Sequence, residues 1–201
     1  MSQGYFSIAE TDAVRTAQAR LGSRAAAARR ARPQGSSTDP EPRDRFTAAE
    51  QEFVGERDGF YLASVSSTGW PYVQFRGGPP GFVRTPDAHT LAWADFRGNR
   101  QYISTGNVEG DDRVSLFFMD YPHRVRLKVF GHARIVDARD DPDLVAGLTV
   151  PGYRAVVEQA VVVTIAAFDW NCPQHITPRF SPVELEALLG RDADPEDVDA
   201  G

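Results

Sequence analysis

Trp93-Ala94-Asp95-Phe96-Arg97-Gly98-Asn99-Arg100-Gln101-Tyr102 marks the point where the chain passes from strand to helix, and the rest can be ordered around it. The apolar run Thr90 to Ala94 predicts a strand, which Asp95 and Gly98 interrupt. Asn99 then opens a predicted short helix that extends to about Gly106. A strand, a glycine turn and a helix start, with Arg97 and Arg100 in reach, are the parts of an anion site. The first N–H groups of a helix are unpaired and carry partial positive charge, and a guanidinium adds a two-pronged donor. On this stretch alone, an ordinary strand-to-helix turn with solvated arginines is the commoner arrangement.

Upstream, Phe60 to Ser66 and Pro71 to Arg76 predict two strands joined by the turn Ser67-Thr68-Gly69. Gly77-Gly78-Pro79-Pro80-Gly81 is a loop poor in side chains, and such a loop admits close approach of a flat ligand. Phe82 to Arg84 and Thr90 to Ala94 form a second hairpin across Pro86-Asp87. Downstream, Arg113 to Met119 is strongly apolar, and Tyr121-Pro122-His123 turns the chain. Val125 to Val136 alternates, with Arg126, Lys128 and Arg134 between apolar neighbours. A short helix is predicted over Asp140 to Leu148 and a buried strand over Val161 to Phe168. Together these predict a mainly β (α+β) fold: a closed barrel of about six antiparallel strands with helical additions, or alternatively a sandwich.

The ends read differently. Asp12 to about Arg32 is rich in Ala and Arg and predicts a helix whose apolar stripe, Val14, Ala17, Leu21 and Ala25, is thin. Pro33 to Asp44 reads as a linker. Thr47 and Glu50 form a capping box ahead of a helix from Ala48 to about Arg57. A second box, Ser181 and Glu184, opens a helix that runs to Leu189 and stops at Gly190. The predicted organisation is therefore an N-terminal helical arm and linker over 1–45, a compact domain over 46–190 and an acidic flexible tail over 191–201.

Composition narrows the function. At 201 residues, 41% hydrophobic and 25% charged, the chain is ordinary for a globular protein. A net charge of −6 argues against nucleic acid as the main partner. The single cysteine, Cys172, cannot form an internal disulfide. No secretory leader and no apolar run of the roughly 20 residues that span a bilayer is present, so the expected location is the cytoplasm. Eight arginines fall in the first 45 residues and seven acids in the last 18, so the two ends either are solvated or meet each other or a partner. No dinucleotide fingerprint, P-loop or nucleophile elbow occurs. The histidines, His89, His123, His132 and His175, are scattered, so no metal site is expected, and no catalytic group can be named.

What remains is polar groups near strand ends. Gln74 and Arg76 share a strand face. Gln74 both donates and accepts, as the uracil-like edge of a flavin requires; a solvated sheet face is the alternative. Arg126 and Lys128 share a face where a cation would stabilise negative charge on a reduced ring. Trp170 either stacks on a flat ring or plugs the barrel end, the second being the commoner fate of an aromatic. Asn171 and Gln174 either read ring edges or satisfy loop backbone.

The segments VQFRGGPPGFV (Val73 to Val83), WADFRGNRQYIS (Trp93 to Ser104), RVSLFFMDYPHRVRLKVFGHARIVD (Arg113 to Asp137) and DWNCPQHI (Asp169 to Ile176) resemble, in order and spacing, the pyridoxamine 5′-phosphate oxidase-like FMN-binding proteins. The resemblance implies a split β-barrel and a homodimer with FMN in two equal sites between the subunits. It places Gln74, Phe75, Arg76 and Gly77 along the flavin. Ala94, Asp95, Asn99, Arg100 and Gln101 fall around the phosphate and ribityl chain, with the last three as the phosphate holders. Arg126 approaches the ring from the partner subunit, and Trp170, Asn171 and Gln174 contact it. The oxidase's C-terminal Arg-x-His motif is replaced here by Asn171-Cys172-Pro173-Gln174-His175, and Gly77-Gly78 stand near its lysine. The resemblance therefore implies an FMN-dependent oxidoreductase acting on a small molecule other than pyridoxamine phosphate. A non-catalytic flavin carrier or sensor, or a haem- or deazaflavin-binding barrel, are the alternatives within the same fold.

Overall fold

The computed structural model describes residues 4–30, 44–171 and 173–191. Most of the predicted linker, the acidic tail beyond residue 191 and Cys172 lie outside the described residues. Seven strands make one antiparallel sheet: β1 (Gly59–Val65), β2 (Pro71–Gly77), β3 (Val83–Asp87), β4 (Thr90–Phe96), β5 (Arg113–Asp120), β6 (Val125–Asp137) and β7 (Val157–Trp170). Their spatial order is β2-β1-β5-β6-β7-β4-β3. Alternation decides which face is core: Val114, Leu116 and Phe118 of β5 are buried while the residues between them are not. β7 is longer than its apolar run because polar Gln159 and Asp169 still pair, with Asp95 and Asp137 at one end and Lys128 at the other.

The sheet curls until its two halves meet. Phe60 of β1 lies 4.9 Å from the Phe118 ring, 5.0 Å from Trp93 and 6.0 Å from Phe82. Trp93, Phe60, Phe82 and Phe118 are almost fully buried, each contributing about 1.5–3 kcal/mol of burial free energy. The strand pattern alone predicts a closed barrel of about six strands, but the sheet has seven and its backbone does not close. β2 and β3 are the sheet's edges, and side chains bridge the gap: Arg76 of β2 pairs with Asp95 of β4 at 2.5 Å. This is the split form of the barrel.

The arm comprises α1 (Tyr5–Ala9), α2 (Asp12–Arg20) and α3 (Arg24–Arg30). The single predicted helix breaks at Leu21-Gly22, where Gly22 takes φ 74. Thr11, not Asp12, caps α2. The sequence gives no sign of α1; it forms because Tyr5 stacks on Phe130 of β6 at 4.8 Å with Lys128 Nζ 4.5 Å from its ring. α4 (Ala48–Gly55) starts with the predicted Thr47–Glu50 box, and α7 (Pro182–Arg191) with the Ser181–Glu184 box, although Gly190 does not stop it. α6 (Pro142–Leu148) is capped by Asp141.

α5 (Ile103–Gly110) begins later than predicted. The Asn99 side chain accepts the Gln101 N–H at 3.2 Å, a local turn that competes with helix, and Arg100 and Tyr102 are left-handed at φ 58 and 51. Asn99, Arg100 and Gln101 therefore form a loop ahead of the helix rather than its first turn.

Candidate functional site

That loop faces β2 across the split. Gln74 and Arg76 from β2, Asp95 at the end of β4, Asn99, Arg100 and Gln101 from the loop, Thr105 of α5 and Glu158 of β7 line one cleft of about 140 Å³. Its inner wall is a polar relay. Asp95 takes Arg76 on one oxygen and the Gln159 amide at 2.9 Å on the other. Gln159 also donates to Thr105 Oγ1 at 3.0 Å, and Ser104 Oγ donates to the Gln74 carbonyl at 2.9 Å. The Arg76 Nε is buried without a hydrogen-bond partner. Buried donors are normally satisfied, so this one points to an acceptor the chain does not itself supply.

The rim is organised by Glu158. It accepts from Arg97 Nε at 2.8 Å and from the Tyr102 hydroxyl at 2.7 Å. Tyr102 foremost, and Arg97 against the opposing effect of desolvation, hold the Glu158 carboxyl below its ordinary range. Arg100 donates to the Tyr102 hydroxyl at 3.0 Å and stands 3.9 Å from Glu158. Three guanidiniums thus face two carboxylates. Arg76 and Arg97 are committed to them, while the remaining Arg100 donors have no hydrogen-bond partner among the described residues. The N-terminus of α5 opens beside them without a side-chain cap. Unspent guanidinium donors and bare helix N–H groups together suit an oxyanion such as a phosphate.

The structure brings Gln74, Arg76, Asp95, Asn99, Arg100 and Gln101 to this cleft, and places the other candidates elsewhere in the chain. Phe75 is on the outer sheet face, 58% exposed, with its ring 5.5 Å from Tyr61. Gly77 lies beside that ring, where an added Cβ would meet Phe75 Cε1 at 2.8 Å. Ala94 is buried against Val145, Leu148 and their neighbours. Trp170 caps the barrel end: its indole N–H donates to Glu50 at 2.8 Å and its ring meets Phe53 edge-on at 4.7 Å. The Asn171 N–H donates to the Arg126 carbonyl at 3.1 Å, and Gln174 is exposed. Arg126 lines a second cleft, on the outer face of β1, β5 and β6, and Lys128 pairs with Asp169 at 3.4 Å. Sequence reasoning missed Glu158 and Gln159, which fall in a stretch without clear periodicity. Only the tertiary fold brings them to Tyr102 and Asp95.

Among the described residues no group of His, Cys, Asp and Glu is arranged to hold a metal ion, and no helix is long and apolar enough to cross a membrane.

The class is that of split β-barrels, here with a polar cleft at the strand–loop–helix junction. The chain belongs to the pyridoxamine 5′-phosphate oxidase family, whose sequence model matches residues 46–171. Similar solved structures include HupZ of Group A Streptococcus, at 14% identity over 67% of this chain and 100% of that one, with a TM-score of 0.48. An FMN-binding protein from Syntrophomonas wolfei is 11% identical over 62% of this chain and 84% of its own, with a TM-score of 0.47. A Clostridium acetobutylicum protein related to general stress protein 26, of the pyridoxinephosphate oxidase family, is 13% identical over 68% and 94%, with a TM-score of 0.46. A search of curated proteins finds no match. The family assignment rests on residues 46–171 alone.

Proposed function

We propose that the protein is an FMN-dependent oxidoreductase that works as a homodimer on a small molecule. The observation that carries this reading is the cleft itself. In a chain of this family it sets the free donors of Arg100 and the uncapped start of α5 beside Gln74 and Arg76. Arg100, Asn99 and Gln101 would hold the FMN phosphate, and Gln74 and Arg76 would line the ring. FMN, when bound, supplies hydride or electron transfer. The chain's own part is to bind, orient and supply charge. Arg76 presents a fixed cation whose buried Nε lacks an acceptor, and Asp95 and Gln159 hold it in place.

Dimerisation is supported by the outer face of β1 and β2, where Tyr61, Val65, Val73 and Phe75 lie exposed side by side. A contiguous apolar sheet face of this kind marks an interaction surface. In such a dimer Arg126, distant from its own chain's cleft, would serve the partner's ring. A non-catalytic carrier is the second reading. It is favoured by the state of Asp95 and Glu158, both tied up in ion pairs rather than poised as proton donors.

The visible spectrum of the purified protein tests the first step. A flavin spectrum that survives gel filtration supports it, and a colourless protein that takes up no added FMN rules it out. A Soret band would replace flavin with haem. Reduction by NADH or NADPH followed by turnover with an acceptor separates enzyme from carrier.

A further inference from the structure

The second cleft, of about 330 Å³, is the larger of the two. Register makes its floor: Tyr61 stands opposite Phe117, and Met119 opposite Arg126, all on the outer face. Its rim is the segment from His175 to Arg179, which lies beyond the family-matched residues 46–171. The lining holds two guanidiniums, Arg126 and Arg179, and no carboxylate. Neither arginine forms an ion pair among the described residues. The Arg126 Nε is buried without a hydrogen-bond partner, and its guanidinium sits 6.0 Å from the Phe117 ring. Arg179 lies over the Tyr121 ring at 5.1 Å.

An arginine that merely dresses a surface keeps its N–H groups in water. One with a buried, unsatisfied Nε carries a desolvation cost that an incoming acceptor removes. Arg126 is such a fork, and Arg179, exposed at the rim, adds a second guanidinium; over aromatic walls the two select an oxyanion attached to a flat apolar body, and the volume is at the small end for a ligand pocket, enough for about one ring system. We propose that this cleft is the substrate pocket and that the substrate is a flat organic anion, its acid group between Arg126 and Arg179 and its ring against Tyr61 and Tyr121. As a substrate pocket this rests on the flavoprotein reading, in which the dimer brings the partner's flavin to Arg126; as an anion site it rests on this chain alone.

The test is calorimetric titration of the full chain, with and without saturating FMN, using benzoate, benzamide and cyclohexanecarboxylate as probes. Benzoate should bind at least about tenfold more tightly than neutral benzamide, the scale of one charge-assisted hydrogen bond, and more tightly than the non-planar acid. Arg179→Gln should lose about tenfold in benzoate affinity, and Arg179→Lys, which keeps the charge without the fork, should lose less. FMN affinity should not move in either variant. Equal binding of benzoate and benzamide overturns the proposal, as does an unchanged benzoate affinity in Arg179→Gln. Displacement of benzoate by FMN also overturns it, because the cleft is then the cofactor's own seat. If no FMN binds while benzoate discrimination and its loss in Arg179→Gln persist, the anion site stands and the flavoprotein reading alone falls.

Discussion

At the residue scale the site turns on which cations are already spent. Arg76 and Arg97 each answer a carboxylate, whereas Arg100 gives one hydrogen bond to a phenol. Arg100→Ala should therefore weaken FMN by about ten- to hundredfold, the range for a hydrogen bond between charged groups, and leave riboflavin, which lacks the phosphate, unchanged. Flavin fluorescence titration measures both, and equal FMN affinity in variant and parent removes Arg100 from the site. Glu158 acts in the opposite sense. Its carboxylate stands 3.9 Å from Arg100 and would repel an arriving phosphate. Glu158→Gln keeps an acceptor for Tyr102 and removes the charge, so FMN should tighten by about two- to fivefold, an exposed-charge effect that shrinks with added salt. A weaker FMN complex in this variant would show that Glu158 serves the site by anchoring Arg97 and Tyr102 instead.

At the element scale, what could be read from the sequence was whatever neighbouring residues decide. The Thr47–Glu50 and Ser181–Glu184 boxes are local hydrogen-bond patterns, and both helices start where those residues stand. Strand alternation in β5 and β6 is equally local. α1 was illegible because the contacts of Tyr5 with Phe130 and Lys128 are long-range, and the start of α5 was misread because Asn99 closes a turn that composition does not reveal. The candidate site divides the same way. Gln74 and Arg76 follow from alternation, while the separation of Arg126 and Trp170 from them follows from the curl of the sheet. Curl also explains Gly131, which sits in β6 at the register shift with β7. A Cβ there would meet the Val163 side chain and stand 2.8 Å from the Thr164 carbonyl oxygen. Gly131→Ala should cost about 1–3 kcal/mol, the usual price of overpacking, read as a lowered melting temperature. An unchanged melt would mean that β6 and β7 part there without cost.

At the scale of the whole molecule, two buried carboxylates, Glu50 and Asp120, tie α4 and the turn after it to the barrel. Burial pushes Glu50 upward, but the Thr47 and Trp170 hydrogen bonds outweigh it and hold the group below its ordinary range; His123 and Arg57 do the same for Asp120 against desolvation. A carboxylate depressed in the folded state adds stability above its unfolded pKa and loses it as pH falls through the folded one. Acid unfolding should therefore set in below about pH 4, the ordinary carboxylate range, with Trp170 fluorescence among the signals, and Glu50→Gln should flatten that pH dependence. A second copy is the other long-range term. If the partner's Arg126 completes each flavin site, FMN binding and dimerisation are linked, so FMN must tighten the dimer by the same factor by which dimerisation tightens FMN. Val73→Glu tests this without touching the cleft, since Val73 is 60% exposed on the outer face of β2 and its charge would meet the partner's apolar surface. Sedimentation velocity should show a monomer, and flavin titration of that monomer a weakened FMN complex. A Val73→Glu monomer that holds FMN as the parent does would leave the cleft complete within one chain and remove Arg126 from it.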